Sequence, residues 1–255
     1  MNFKLSFIPK RSEKPRNKGV TMMMDKGLGL RETEHFIEAS AHLTDIVKFG
    51  FGTAFVTRQL EEKIKMYREA GIRPYFGGTL FEAFYARGMF KEYVQMLDKY
   101  DLDLAEISDG SIIIPHDEKC KLIHELSKSR TVLSEVGSKD SGILISPAKW
   151  VRLMKAELEA GSWKVIAEGR EAGNVGVFRP NGTAHSMLIN RIIATATPVD
   201  TVPSPIYGYG KINAYAAVTA DVPTVKKNPL GSLAEWIKLY RRGSSTNSAE
   251  PWNTS

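Results

Sequence analysis

The 255-residue chain has a single cysteine, Cys120, so it can form no intrachain disulfide and no zinc centre built from several thiolates. Cys120 falls in a helical stretch, 117–129, and reads as a half-buried structural thiol. The chain has no run of 18 apolar residues to span a bilayer, and no apolar stretch follows its basic start. A membrane role is therefore not expected, and a reducing cytoplasm is the default compartment. Neither a Walker nor a dinucleotide-binding glycine fingerprint occurs. His35, His42, His116, His124 and His185 match no ligand motif and read as structural or exposed. Ser108, Ser134 and Ser138 have no histidine partner in the pattern, which leaves a serine-nucleophile mechanism unsupported.

What is present is ordinary in bulk. Hydrophobic residues make up 42% and charged residues 25%, as in a soluble globular protein. The net charge of +6 owes much to the first twenty residues, where Lys4, Lys10, Arg11, Lys14, Arg16 and Lys18 oppose only Glu13. No repeated aromatic–basic interleaving supports a nucleic-acid contact, so the arm is read as solvated or packing and no nucleic-acid partner is expected.

The informative pattern is a repeated one. Short apolar runs end in an ionisable residue, and a helical stretch follows each: Met24 into Asp25, Val47 into Lys48, Ala105 into Glu106, Ser134 into Glu135, Ala167 into Glu168. A sixth run, 72–76, ends in Gly77-Gly78. One charged strand end is unremarkable, since a strand leaving the core must meet water. Repetition at nearly every strand suggests a ring of ionisable groups around one site, as at the C-terminal strand ends of (β/α)8 barrels. The strand–helix units recur every 25–30 residues or so between about 20 and 193, the spacing that a parallel sheet with crossover helices requires. Helices are expected at 31–43, 59–70, 80–100, 117–129 and 147–160, with Leu60, Ile64 and Tyr67 on one apolar face.

We therefore expect an α/β fold of the TIM (β/α)8 type whose last two βα units are diverged or incomplete. Residues 1–17 would be an irregular arm, 18–242 a single barrel domain with an atypical part from about 194, and 243–255 a disordered tail. A further helix is expected at 230–240.

The strand-end carboxylates Asp25, Glu106, Glu135 and Glu168 would converge within reach of one divalent cation, and oxygen ligands suit Mg²⁺. Each could instead pair with a neighbouring Lys or Arg. Lys48, Lys139 and Arg170 would add positive charge for a small, multiply charged anion; Arg grips phosphate or carboxylate through two bonds, while Lys can also transfer a proton. The Gly50–Thr53 and Gly77–Thr79 turns could offer backbone N–H groups to an anion at a helix start.

Taken together, these strings resemble the phosphosulfolactate synthase family: Lys18-Gly19-Val20-Thr21 with Asp25-Lys26-Gly27, Val47-Lys48-Phe49-Gly50, Gly77-Gly78-Thr79-Leu80-Phe81-Glu82, Glu106-Ile107-Ser108-Asp109-Gly110, Glu135-Val136-Gly137-Ser138-Lys139 and Glu168-Gly169-Arg170-Glu171. The resemblance covers about residues 15–193. It implies a (β/α)8 barrel that adds sulfite to phosphoenolpyruvate with Mg²⁺, giving phosphosulfolactate on one route to coenzyme M. It also implies that Lys139 is a general acid, with Glu106 and Glu168 as further catalytic groups. Lys48, Arg170, Gly77, Gly78 and Glu171 would bind substrate, and Asp25 and Glu135 would hold the metal. Plant heat-stress proteins share the family, so a non-catalytic, stress-related binding role stays open, as does another phosphate-handling barrel lyase. A homo-oligomer is possible on this reading. Residues 207–218 resemble instead the closing segment of subtilisin-like proteases, whose catalytic motifs are absent from the chain.

Overall fold

The computed structural model describes residues 12–17, 19–140, 143, 145–170, 172–194, 196–197 and 211–212. Six strands alternate with helices in chain order: β1 (Met22–Asp25), α1 (Leu30–Ser40), β2 (Ile46–Phe49), α2 (Leu60–Glu69), β3 (Arg73–Phe76), α3 (Gly78–Tyr85), α4 (Phe90–Lys99), β4 (Leu104–Ser108), α5 (His116–Ser127), β5 (Thr131–Val136), α6 (Pro147–Glu159), β6 (Lys164–Ala167) and α7 (Ser186–Ala194). They form two parallel three-stranded sheets, ordered β1-β2-β3 and β4-β5-β6, with β3 lying beside β4. The fold is thus α/β with parallel sheets. Two short strands, β7 (Ala196–Thr197) and β8 (Lys211–Ile212), pair antiparallel as a sheet of their own. The remaining C-terminal expectations, including the 230–240 helix and the 243–255 tail, lie outside the described residues.

Two expectations shift. The stretch 80–100 is two helices, α3 and α4, because Gly88 takes φ +70° and turns the chain between them. Of the charged residues expected at strand ends, Asp25 closes β1, whereas Lys48, Glu106 and Glu135 stand one or two residues before the last residue of their strands.

Each central strand is buried on both faces, which explains its nearly unbroken apolar sequence. The two faces do different work, because successive side chains point to opposite sides. Val47, Phe49, Phe76, Ala105, Ile107 and Val132 pack outward with Tyr67, Phe81, Tyr93, Leu97 and Ile123 from the helices. Ile46, Tyr75, Leu104 and Leu133 point the other way and cluster with Val20, Trp163 and Ile166. This second cluster is an apolar floor. Two residues further along the same faces stand Lys48, Glu106, Glu135 and Glu168, following Ile46, Leu104, Leu133 and Ile166. The ionisable groups therefore rise directly above the floor at the C-terminal strand ends.

Candidate active site

Lys48 is the hub. Its Nζ lies 2.7 Å from Glu106 Oε1 and 3.3 Å from Glu135 Oε2, so it bridges β4 and β5 from β2. Burial works against its charge, but Glu106 and Glu135 outweigh it and lift the pKa above the ordinary lysine value. Glu106 is wholly buried, and burial raises its pKa despite Lys48. Glu135 is lowered instead: burial alone would raise it, but Lys48, a hydrogen bond from Glu168 and Lys139 prevail. Glu168 is pushed up to about 8, first by burial and then by the charge and hydrogen bond of Glu135. The two carboxyl groups thus share one proton at neutral pH, with Glu168 its holder. Tyr75, inward on β3, is raised well above the usual tyrosine value by burial and by Glu106, and stays a neutral phenol.

The Gly77-Gly78 turn is dictated by this crowding. A Cβ on Gly77 would stand 2.9 Å from Lys48 Cε, and one on Gly78 would stand 2.1 Å from Ser108 Oγ. With no side chain there, the Gly78 N–H reaches Glu106 Oε1 at 2.8 Å. The turn therefore fastens Glu106; the N–H expected to meet an anion is given to that carboxylate.

Lys139, just after β5, joins the group from above. Its Nζ is 3.2 Å from Glu82 Oε1, 3.5 Å from Thr79 Oγ1 and 3.8 Å from Glu135 Oε1. Lys48, Glu135, Lys139, Glu168 and Arg170 line one cavity of about 530 Å³, with Phe51 and Thr79 on its wall. A cavity of about 570 Å³ between the loop after β5 and residues 174–185 holds none of these ion pairs.

Asp25 is placed elsewhere. In register it matches Phe49 on β2, and through it Phe76 on β3, both on the helix-facing side. Its Oδ1 accepts from the N–H groups of Gly27 and Leu28 at 2.8 and 2.9 Å, and its Oδ2 meets Tyr67 Oη at 2.8 Å and Lys63 Nζ at 2.7 Å. The strand's alternation, not its end, decides this; Met24 occupies the inward position. Every oxygen of Asp25 is engaged by the protein, so the expected metal ligand ties β1 to α2. Glu171 lies outside the described residues.

Three residues that sequence reasoning passed over support the site. Glu82, 2% exposed, accepts from Gly110 N–H at 3.0 Å, Ser111 N–H at 3.1 Å and the Ser108 hydroxyl. It was visible as the one acid in the apolar run Leu80-Phe81-Glu82-Ala83-Phe84. Lys63 holds Asp25, as above. Lys119 donates to the Glu135 carbonyl at 2.7 Å and pairs with Asp109 and Glu157 at 2.8 and 2.7 Å.

Residue types fit a hard divalent cation in one respect. Glu106 Oε2 and Glu135 Oε1 are buried without a hydrogen-bond partner, and the available donors are oxygens. Among the described residues, no group of three or more His, Cys, Asp or Glu side chains could hold a metal alone.

Parallel strands ending in paired cations and carboxylates above an apolar floor define an α/β protein with a pocket lined by ionisable groups of both signs. The model of the (2R)-phospho-3-sulfolactate synthase (ComA) family matches residues 9–202. Phosphosulfolactate synthase of Methanothermobacter thermautotrophicus is 38% identical over 200 residues, covering 76% of this chain and 77% of that protein. The Bacillus subtilis protein of that name is 35% identical over 190 residues (74% and 75% covered), and the Methanocaldococcus jannaschii one 37% over 194 (70% and 77%). Among solved structures, 2,3-dimethylmalate lyase overlays with a TM-score of 0.43 at 11% identity, covering 92% of this chain and 95% of that one. The chain belongs to the phosphosulfolactate synthase family. Among the described residues, no helix is long and apolar enough to cross a membrane.

Proposed function

We propose that this protein adds sulfite to phosphoenolpyruvate to give (2R)-phospho-3-sulfolactate, with Mg²⁺ at the site and on a (β/α)8-type barrel whose last two units are diverged or incomplete. The observation that carries the reading is Lys139 Nζ on the same cavity as Lys48, Glu135, Glu168 and Arg170. Sulfite's lone pair forms a C–S bond to the methylene carbon. The π electrons of the double bond move onto C2 and into the carboxylate as an enediolate. Lys139 then delivers a proton to C2 and recovers one from solvent.

Charge counting motivates the cation. With Glu168 protonated, Lys48, Lys139 and Arg170 face the carboxylates Glu82, Glu106 and Glu135, so the pocket is near neutral before any anion enters. Two anionic substrates need further positive charge. Glu135, through Oε1, which accepts no hydrogen bond and lies 3.8 Å from Lys139 Nζ, and Glu106, through Oε2, would hold Mg²⁺, with substrate oxygens and water as other ligands. When bound, the ion would act as a Lewis acid on the substrate carboxylate. Arg170 would grip phosphate or sulfonate oxygens, and Lys48 would orient the carboxylate.

The test is phosphoenolpyruvate consumption by purified protein. It should require both sulfite and Mg²⁺. Consumption without sulfite would move the reading to another lyase, and none under any condition would favour the binding-protein role.

A further inference from the structure

Lys139 is held from two directions by one buried carboxylate. Glu82 Oε1 lies 3.2 Å from its Nζ. The same oxygen accepts from Gly110 N–H at 3.0 Å, and the Gly110 carbonyl in turn accepts from Lys139 N–H at 2.9 Å. Gly110 also presses against the lysine stem, where a Cβ would stand 2.9 Å from Lys139 Cε. Glu82 Oε2 fixes the next residue through Ser111 N–H at 3.1 Å. Glu82, itself 2% exposed, thus holds the ammonium of Lys139 directly and its backbone and stem through Gly110, while Glu135 Oε1, at 3.8 Å, is a longer contact from β5. Thr79 Oγ1, 3.5 Å from Nζ, is a second contact from the start of α3.

We infer that Glu82 is the positioning residue that sets which face of the enediolate Lys139 protonates, and so the configuration of the product. This rests on the proposed reaction. C2 of an enediolate is planar, and a proton from either face gives a stable product; only the donor's location distinguishes them. Lys139 comes in from the Glu82 and Thr79 side, whereas Glu168 and Arg170 belong to the end of β6. An ammonium on a four-carbon stem has many rotamers, so its direction must be imposed from outside. A carboxylate with its other lone pairs saturated by N–H and O–H donors is a rigid anchor for it.

Glu82→Gln keeps the size and one acceptor oxygen but removes the charge that holds Nζ. It should lower kcat roughly tenfold or more with KM for phosphoenolpyruvate little changed, a loss confined to the transition state. The distinguishing readout is chiral chromatography of the product: the wild type should give one enantiomer, and Glu82→Gln a measurable fraction of the other, as solvent protonation competes. Glu82→Asp should recover single-enantiomer product in part. If Glu82→Gln fails to fold, as judged by circular dichroism, Thr79→Val should show a weaker mixing of the same kind. Lys139→Ala and Lys139→Arg serve as controls, each expected to lose roughly 10²–10⁴ in kcat, the scale for removing a general acid. Unchanged kcat in both would sink the proton-donor reading itself. If they lose activity while Glu82→Gln, or Thr79→Val in its place, gives single-enantiomer product, the positioning inference alone is overturned.

Discussion

Replacing Asp25 by Ala separates a structural carboxylate from a metal ligand. The substitution removes the partner of Lys63, whose side chain is 1% exposed and keeps only the Leu28 carbonyl as acceptor. It also strips the buried Tyr67 hydroxyl and two turn amides of their acceptor. Breaking a buried ion pair from one side costs about 3–5 kcal/mol, because the remaining charge stays desolvated. An orphaned buried hydroxyl costs about 1–3 kcal/mol more by itself, but water entering the vacated space overlaps the two terms. We expect a net loss of about 3–5 kcal/mol, a large share of the roughly 5–15 kcal/mol typical of a folded domain. At about 2–4 °C per kcal/mol for a domain of this size, the midpoint should fall by roughly 6–20 °C. The assay is thermal and urea unfolding of wild type and variant, with the Mg²⁺ dependence of activity measured well below both midpoints. Asp25→Asn should be nearly as damaging, since its amide turns a donor toward Lys63, and adding Lys63→Met should restore part of the loss. A loss under about 1 kcal/mol accompanied by a weakened Mg²⁺ requirement would refute the argument and return Asp25 to the metal site.

Glu168 carries a pH signature. Its folded pKa of about 8 exceeds the free value of 4.5, so the folded state binds the extra proton between those limits. Its contribution to stability is full below about 4.5 and is lost as pH rises through 8. Unfolding free energies of wild type minus Glu168→Gln, taken from pH 5 to 9, should therefore decline with pH; a flat difference would mean that Glu168 is already ionised. Gly78→Ala should destabilise by about 1–3 kcal/mol or prevent folding, because the new methyl would stand 2.1 Å from Ser108 Oγ. Urea unfolding at wild-type stability would show that the turn has room that the structure denies.

Much of this was legible in the sequence, and what was not turns on strand phase and on tertiary burial. The recurrence of apolar run, charged residue and helix located five of the six parallel strands, the apolar run before Gly77-Gly78 located the other, and the amphipathic face of Leu60, Ile64 and Tyr67 located α2. What one strand cannot declare is its phase. Met22-Met23-Met24-Asp25 has no apolar–polar alternation, so nothing in it says which way Asp25 points; its register against Phe49 does. Glu106, by contrast, follows Leu104 by two with apolar Ala105 between them, and Glu135 follows Leu133 by two with apolar Val132 and Val136 on the opposite face. Glu82, Lys63 and Lys119 were missed because they lie on helices, where a charged residue ordinarily reads as solvated. Their burial comes from packing against the strand ends, a tertiary fact with only a faint local trace.

The alternation of faces also bears on how such a protein can change. Along β4, Leu104, Glu106 and Ser108 belong to the chamber, while Ala105 and Ile107 belong to the helix layer. Chemistry and cohesion are written in alternate letters of one segment. Substitutions at the even letters can retune what the chamber accepts without disturbing the helix layer, and the odd letters can drift among apolar residues without touching the reaction. Inserting or deleting one letter exchanges the two texts, driving Glu106 under the helices and Ile107 into the chamber. Variation in these strands should thus proceed by replacement, with length changes confined to the loops.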